Sequence, residues 1–402
     1  MKRLFLRFCL LASIIPFCIA CSHSEKLSGD EFLIEGEISG IEDGTVLDLM
    51  RWDESMGIRI ASDTLKSGRF MFKERAESNT DRLSIGPRGD GFPPMSLFVW
   101  AEPGAKVKIK GKGKLHPLWE VKSSVPYQKE QNLYTDKNRD IIAEDARIST
   151  ERNNAISKIM AASSREESIP YRNIVDSLIV IGDSLWLTQV LAYVEILEKT
   201  KDVSLIWLKN MVSVSYQSKP TNDGKGYYSE LRKKAEKLYS RMSEEEKNTL
   251  YGASITANLF PPDIVEIGDN FADTDLSDVN GNVKHLADYL GKCLLLDFWS
   301  RGCGPCIMAL PEMKEISETY SEQLTIISIS LDTDARWKEA MDEHDMPWVN
   351  IRDPKAYGGL AANYGVSGIP SYVMISPEGK IINKWSGFGE GSLKIKVNEN
   401  IK

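Results

Sequence analysis

The chain predicts an α/β unit over its last third, residues 258–402, preceded by a small all-β unit over 31–113 and a helical region over 114–257. Three observations carry that reading. After Pro261-Pro262, short apolar runs alternate with helical patterns, the order of a sheet built through helical crossovers. Between 31 and 113, apolar residues alternate with polar ones between Gly-containing turns, the period of half-buried strands. Between 114 and 257, apolar residues recur at helical spacing within charged stretches.

The first twenty residues read as a secretion signal. Lys2, Arg3 and Arg7 give a basic start, and Phe8 to Ala20 is an apolar core too short to span a bilayer. Phe17-Cys18-Ile19-Ala20-Cys21-Ser22 then resembles a bacterial lipobox. That resemblance implies lipidation of Cys21, attachment to a membrane through the lipid, and a tether over 21–30. After the signal, no run reads as long and apolar enough to span a membrane. The formal charge is −8, and the signal carries three of the basic residues, so the mature chain is more acidic still. A nucleic-acid partner is excluded on that balance. Of six cysteines, Cys9 and Cys18 would leave with the signal, and Cys21 would be the lipid site that the lipobox resemblance implies. Only Cys293, Cys303 and Cys306 remain, too few for a scaffold of structural disulfides. Cys293 reads as a small core residue.

In the all-β unit, Phe32, Ile34 and Ile38 alternate with Leu33, Glu35 and Glu37, and Val107 and Ile109 with Lys106, Lys108 and Lys110. Asp43-Gly44, Ser67-Gly68 and Pro103-Gly104 are turn signals. Phe92, Phe98 and Trp100 read as core rather than as a ligand platform. In the helical region, Leu185, Val190, Leu191, Val194 and Leu197 form one apolar face, and Ser243 with Glu246 fits a capping box. The charged run Lys129 to Arg152 reads as a solvated helix face; a coiled-coil or client-binding arm is the alternative. In the last unit, Ile264 to Val283 predicts short leading strands around an Asn280-Gly281 turn. A strand Cys293–Trp299 then leads to a helix from Gly304, kinked at Pro311. A strand Leu324–Leu331, a helix Ala335–His344, a strand Trp348–Ile351 and a helix Tyr357–Tyr364 follow. The hairpin Tyr372–Ile375 and Ile381–Trp385 closes the sequence of elements.

The chemistry sits at the end of the strand Cys293–Trp299. Two cysteines separated by Gly-Pro stand at a helix start, where backbone N–H groups and the helix dipole favour a thiolate at Cys303. A thiolate is the species that attacks a disulfide, and Cys306 lies close enough to resolve the product. Zinc ribbons also use Cys-x-x-Cys, but there is no second pair of Cys or His to complete a site, so a metal is not expected. His23, His116, His285 and His344 are scattered, and there is no Gly-rich phosphate loop. No cofactor is expected.

The segment 258–402 resembles the thioredoxin superfamily, and closely the envelope thiol-disulfide oxidoreductases of the ResA and TlpA type. Cys303-Gly304-Pro305-Cys306 is the thioredoxin sequence, Asp297 matches the buried acid that exchanges a proton with the resolving Cys, and Gly368-Ile369-Pro370-Ser371 matches the cis-proline loop. The resemblance implies a thioredoxin fold and catalytic roles for Cys303, Cys306 and Asp297. It also implies a redox-active disulfide between the two cysteines and a client-facing surface at Trp299, Gly304, Pro305, Ile369 and Pro370. The Gly-Pro spacer resembles that of reducing thioredoxins, near −270 mV, rather than of strong oxidants near −120 mV. A reductase of oxidised envelope proteins, recharged by a membrane electron donor, is therefore expected. Its site would face the periplasm of a Gram-negative cell. Residues 31–113, through Ile34-Glu35-Gly36, Ser62-Asp63-Thr64 and Gly68-Arg69-Phe70, resemble the small β domain of unknown function found ahead of thioredoxin domains in Bacteroidetes envelope lipoproteins. Two positions depart from the family. Gly302 stands where a large residue, often Trp, precedes the first Cys, and Ala309 stands where many ResA-like chains carry a Glu. A disulfide isomerase, a peroxiredoxin-like peroxidase and a client-binding lipoprotein are the alternatives. Against the peroxidase, the Pro/Thr motif that precedes a peroxidatic Cys is absent before Cys303.

Overall fold

The computed structural model describes residues 27–52, 57–219 and 227–401. The signal and Cys21 lie outside them. The front unit holds eight described strands: β1 (Glu31–Ser39), β2 (Val46–Trp52), β3 (Gly57–Thr64), β4 (Arg69–Arg75), β5 (Asp81–Pro87), β6 (Leu97–Ala101), β7 (Lys106–Lys112) and β8 (Glu120–Lys122). They form two sheets, β4-β1-β7-β8 and β3-β2-β5-β6. The predicted alternation in β7 is kept, with Val107 and Ile109 buried between exposed lysines. In β1, Leu33 is buried as well as Phe32 and Ile34, so the strand is covered on both faces there. Trp100 joins the core, whereas Phe92 and Phe98 stay half-exposed; the Arg82 guanidinium lies 4.4 Å from the Phe98 ring. β8 falls within the span read as helical, pairing antiparallel with β7.

Among the described residues seven helices follow: α1 (Pro126–Lys137), α2 (Arg139–Ala161), α3 (Arg165–Lys199), α4 (Leu205–Gln217), α5 (Tyr227–Tyr239), α6 (Glu244–Lys247) and α7 (Leu250–Leu259). The Ser243–Glu246 capping box is present and opens α6. Val190, Val194 and Leu197 of α3 pack into the same core as Trp207 of α4 and the front sheets, so strands and helices share one apolar interior. One expectation is corrected here. By length and composition, α3 is apolar enough to cross a membrane, and only 11% of its most apolar stretch is buried. Reading the helix from Asp183 onward hid this, because the apolar run begins about two and a half turns earlier, at Ile174. The second half of α3 is nevertheless a core helix, while Ile174, Ile179, Val180, Ile181 and Trp186 remain exposed.

The last unit comprises β9 (Leu276–Ser277), β10 (Val283–Lys284), β11 (Cys293–Trp299), α8 (Gly304–Thr319), β12 (Leu324–Ser330), α9 (Asp334–Glu343), β13 (Val349–Arg352), α10 (Leu360–Asn363), β14 (Ser371–Ile375), β15 (Ile381–Ser386) and α11 (Ser392–Asn400). Its sheet runs β10-β9-β13-β12-β11-β14-β15, with β11 parallel to β12 and antiparallel to β14. This is the thioredoxin fold, with β11 inside the sheet between β12 and β14. Leu294, Leu296 and Phe298 face a layer containing Leu360 and Tyr364, while Leu295 and Trp299 face α8. The assigned helix α8 runs through Pro311 without a break. The helix expected over Tyr357–Tyr364 is split into a 3-10 turn (Ala356–Gly358) and α10. The buried Asp353 carboxylate is the cause. It accepts the N–H groups of Lys355 at 2.8 Å and Leu360 at 2.6 Å, and so starts a fresh helix at Leu360.

Candidate active site

Cys303 is the N-cap of α8, in an extended conformation, and its Sγ accepts the N–H of Cys306 at 3.2 Å. Gly304 and Pro305 fill the first helical positions, where proline loses no intrahelical hydrogen bond. The sulfur thus sits on the positive end of the helix dipole with an N–H aimed at it, the setting that favours a thiolate. Cys303 and Cys306 form a disulfide with their Cα atoms 5.2 Å apart. Cys303 is half-exposed and Cys306 is buried, so an incoming thiol or disulfide meets Cys303 first.

Beneath the pair lies an apolar floor. Trp299, Cys306, Leu310 and Trp337 are buried together, with Cys303, Trp348 and Ile369 packed against them. Pro370 is buried and follows Ile369 through a cis peptide bond, as the cis-proline loop requires. Gly304 and Pro305 are exposed and Ile369 is half-buried beside Cys303, so these three sit where a client could touch them. Trp299 does not. It is 1% exposed, because the last residue of β11 on this face points under α8. Its place is in the floor rather than on the client-facing surface.

Asp297 is buried on the same strand face as Leu295 and Trp299, the face that α8 covers. Its neighbours across the sheet are Ser328 on β12 and Tyr372 on β14. Ser328 Oγ donates to Asp297 Oδ2 at 2.8 Å, and Trp348 Nε1 donates to Ser328 Oγ at 2.9 Å. Burial pushes the Asp297 carboxyl up to about 7, against the Ser328 hydrogen bond, which pulls it down. Burial, and then the negative charges of Asp297 and Glu312, push the Tyr372 hydroxyl far up. Sequence reasoning found Asp297 but not Ser328 or Trp348. A serine inside an apolar strand and a tryptophan just before one give no signal until the strands are set side by side.

The departure at Gly302 has a structural counterpart in Arg301. Its N–H donates to Asp332 Oδ2 at 2.7 Å, and its guanidinium bonds the carboxylates of Glu339 and Glu343 on α9. The segment before Cys303 is thereby pinned to α9. Glu312, three residues after Ala309, turns away from the disulfide to the start of α11. It accepts the N–H groups of Gly391 at 3.0 Å and Lys394 at 2.6 Å. Cys293 is half-buried, and burial raises its thiol pKa.

The profile of the AhpC/TSA family matches residues 267–384, a span containing Asp297, both cysteines and Pro370. The thiol-disulfide oxidoreductase ResA of Bacillus thuringiensis is 30% identical over 125 residues, 31% of this chain and 71% of the relative. ResA of Geobacillus thermodenitrificans is 30% identical over 135 residues, 32% of this chain and 75% of the relative. Among solved structures, the thioredoxin domain of a thiol-disulfide oxidoreductase from Bacteroides vulgatus is 27% identical, covering 34% of this chain and 99% of that one, with a TM-score of 0.32. With the dithiol placed at the start of α8 and more than two thirds of a ResA chain matched at this identity, the protein belongs to the thioredoxin-like thiol-disulfide oxidoreductases of the ResA type.

Proposed function

We propose that this oxidoreductase works as a reductase of oxidised envelope proteins, held at a membrane by a lipid on Cys21 and recharged by a membrane electron donor. The observation that carries the reading is the asymmetry of the pair: Cys303 is half-exposed at the helix start, and Cys306 is buried behind it. Cys303 attacks the client disulfide, one client cysteine leaves as a thiolate, and a mixed disulfide forms. Cys306 then attacks Cys303, releasing the second client thiol and leaving the protein oxidised. Asp297 exchanges the proton with Cys306 during that step. Gly304, Pro305, Ile369 and the backbone around Pro370 hold an extended client segment.

Trapping tests it. Cys306→Ser should accumulate client mixed disulfides at Cys303 in cells, and the wild-type protein should reduce insulin disulfides. A trap that collects nothing, joined to inertness on insulin and turnover of peroxide, would make the chain a peroxidase. A potential near −120 mV against glutathione would make it an oxidant. For the anchor, Cys21→Ser should release the protein from the detergent phase; unchanged partition would remove lipidation.

A further inference from the structure

We propose that Ser328 and Trp348 are positioning residues for Asp297: a relay from the Trp348 indole N–H through the Ser328 hydroxyl fixes which carboxyl oxygen carries the proton exchanged with Cys306. The inference rests on the reading of Asp297 as the proton carrier and names the residues that make it one.

The direction of the relay follows from the groups themselves. Trp348 Nε1 lies 2.9 Å from Ser328 Oγ, and Ser328 Oγ lies 2.8 Å from Asp297 Oδ2. An indole N–H only donates, whereas a hydroxyl has one proton to give and two lone pairs. With the indole on a lone pair, the serine proton is directed to Oδ2. Oδ2 is then an acceptor in both charge states, so the proton of neutral Asp297 resides on Oδ1. Ser328 is fully buried and Asp297 is 2% exposed, so water does not substitute freely for the missing donor when one is removed.

The groups facing the carboxyl come from every element packed on it. β12 supplies Ser328, and the segment before β13 supplies Trp348. β14 supplies Tyr372, opposite Asp297 in register, whose hydroxyl has no hydrogen-bond partner among the described residues. α8, which covers this face of β11, carries the buried Cys306 and Glu312, and the Glu312 carboxylate is engaged elsewhere, by the N–H groups of Gly391 and Lys394. Among the described residues, no Lys or Arg forms an ion pair with Asp297. A buried carboxylate without a cation depends on its donors to stay ionised. The relay is that donor, and it keeps Asp297 a usable base near neutral pH.

In the resolving step the Cys306 thiol gives its proton to Oδ1. The Cys306 sulfur attacks Cys303 Sγ, the bond from Cys303 to the client sulfur breaks, and the client leaves as a thiolate. The dithiol is oxidised by two electrons, which end on the client.

Two measurements test this. The Asp297 carboxyl is titrated in the reduced protein by carbon-13 NMR of labelled aspartate, with Asp297→Asn identifying the signal. The resolving rate is measured by stopped flow across pH from a preformed mixed disulfide. Ser328→Ala should raise the midpoint of both profiles by about one unit, a roughly tenfold slower resolution below the midpoint with recovery above it. Trp348→Phe should shift both in the same direction by less, and Ser328→Thr, which restores the hydroxyl, should keep the wild-type profile. A rate loss that is uniform across pH, with the Asp297 midpoint unmoved, would overturn the relay and leave Ser328 as packing. If Asp297→Asn resolves at the wild-type rate, the proton-carrier role fails, while the NMR midpoint of Ser328→Ala still decides the relay.

Discussion

Cys303 and Cys306 are three residues apart yet chemically unequal, because one caps the helix and the other lies inside its first turn. In the reduced protein Cys303 should alkylate about tenfold faster or more at pH 7, with a rate rising through a lower pKa than that of Cys306. Equal rates across pH 5 to 9 would remove the asymmetry. Asp297 makes a second residue-scale prediction, about stability. Its folded pKa, about 7, stands above the value near 3.9 of an unfolded Asp. The folded state therefore holds the extra proton between those values. The penalty of the buried charge is absent below pH 4, grows as pH rises through 7, and is constant above. It reaches about 4 kcal/mol at pH 8. Asp297→Asn should accordingly gain stability relative to wild type as pH rises from 4 to 8 in urea titrations. A difference that is flat with pH would mean the carboxyl titrates normally. The acid and the dithiol were legible in the sequence as charged and nucleophilic groups at a strand end; their partners were not.

At the scale of elements, the N-cap position of α11 is Gly391, which offers no side chain to cap the helix. Glu312 of α8 does this from another helix, satisfying two of the orphan N–H groups and placing a carboxylate on the dipole's positive end. Glu312→Ala should cost about 1–2 kcal/mol and raise amide exchange selectively over the first turn of α11. Exchange that rises evenly through the last unit would point to general destabilisation instead. Arg301 does a comparable job for the turn before Cys303, through Asp332, Glu339 and Glu343. The sequence placed the start of α8 and both ends of α9 within a residue. It could not assign these contacts, since capping across elements leaves no local pattern. The split of the expected Tyr357–Tyr364 helix has the same origin: Asp353, seven residues upstream of Leu360, decides where the helix restarts.

Across the whole molecule, the front and last units meet at α7. A Cβ on Gly358 would meet the backbone of Ala253 and Ser254 in α7, and Leu250 of α7 packs against the core containing Phe298 and Tyr364. Gly358→Ala should therefore destabilise the full chain by about 1–3 kcal/mol and leave a fragment of residues 258–402 unaffected. Equal costs in both would show that the glycine serves the last unit alone. The same fragment should reduce insulin nearly as well as the full chain. Inactivity of the fragment on insulin would mean that the front units complete the site.

The resemblance to thioredoxins pointed to Asp297 as the buried acid and to the cis-proline loop, while the residues by themselves predicted the three-part order of the chain, the strand and helix that carry the dithiol, and the dithiol itself. These are carried by local signals: period, turn chemistry and a four-residue motif at a strand-to-helix junction. Tertiary structure decided what stands around them. It placed Trp299 in the floor rather than on the surface, brought Ser328 and Trp348 to Asp297, turned Glu312 to α11 and left one stretch of α3 apolar yet exposed. Burial and hydrogen-bond partners depend on which strands become neighbours and in what register, and residues thirty apart in sequence meet only after the sheet has formed.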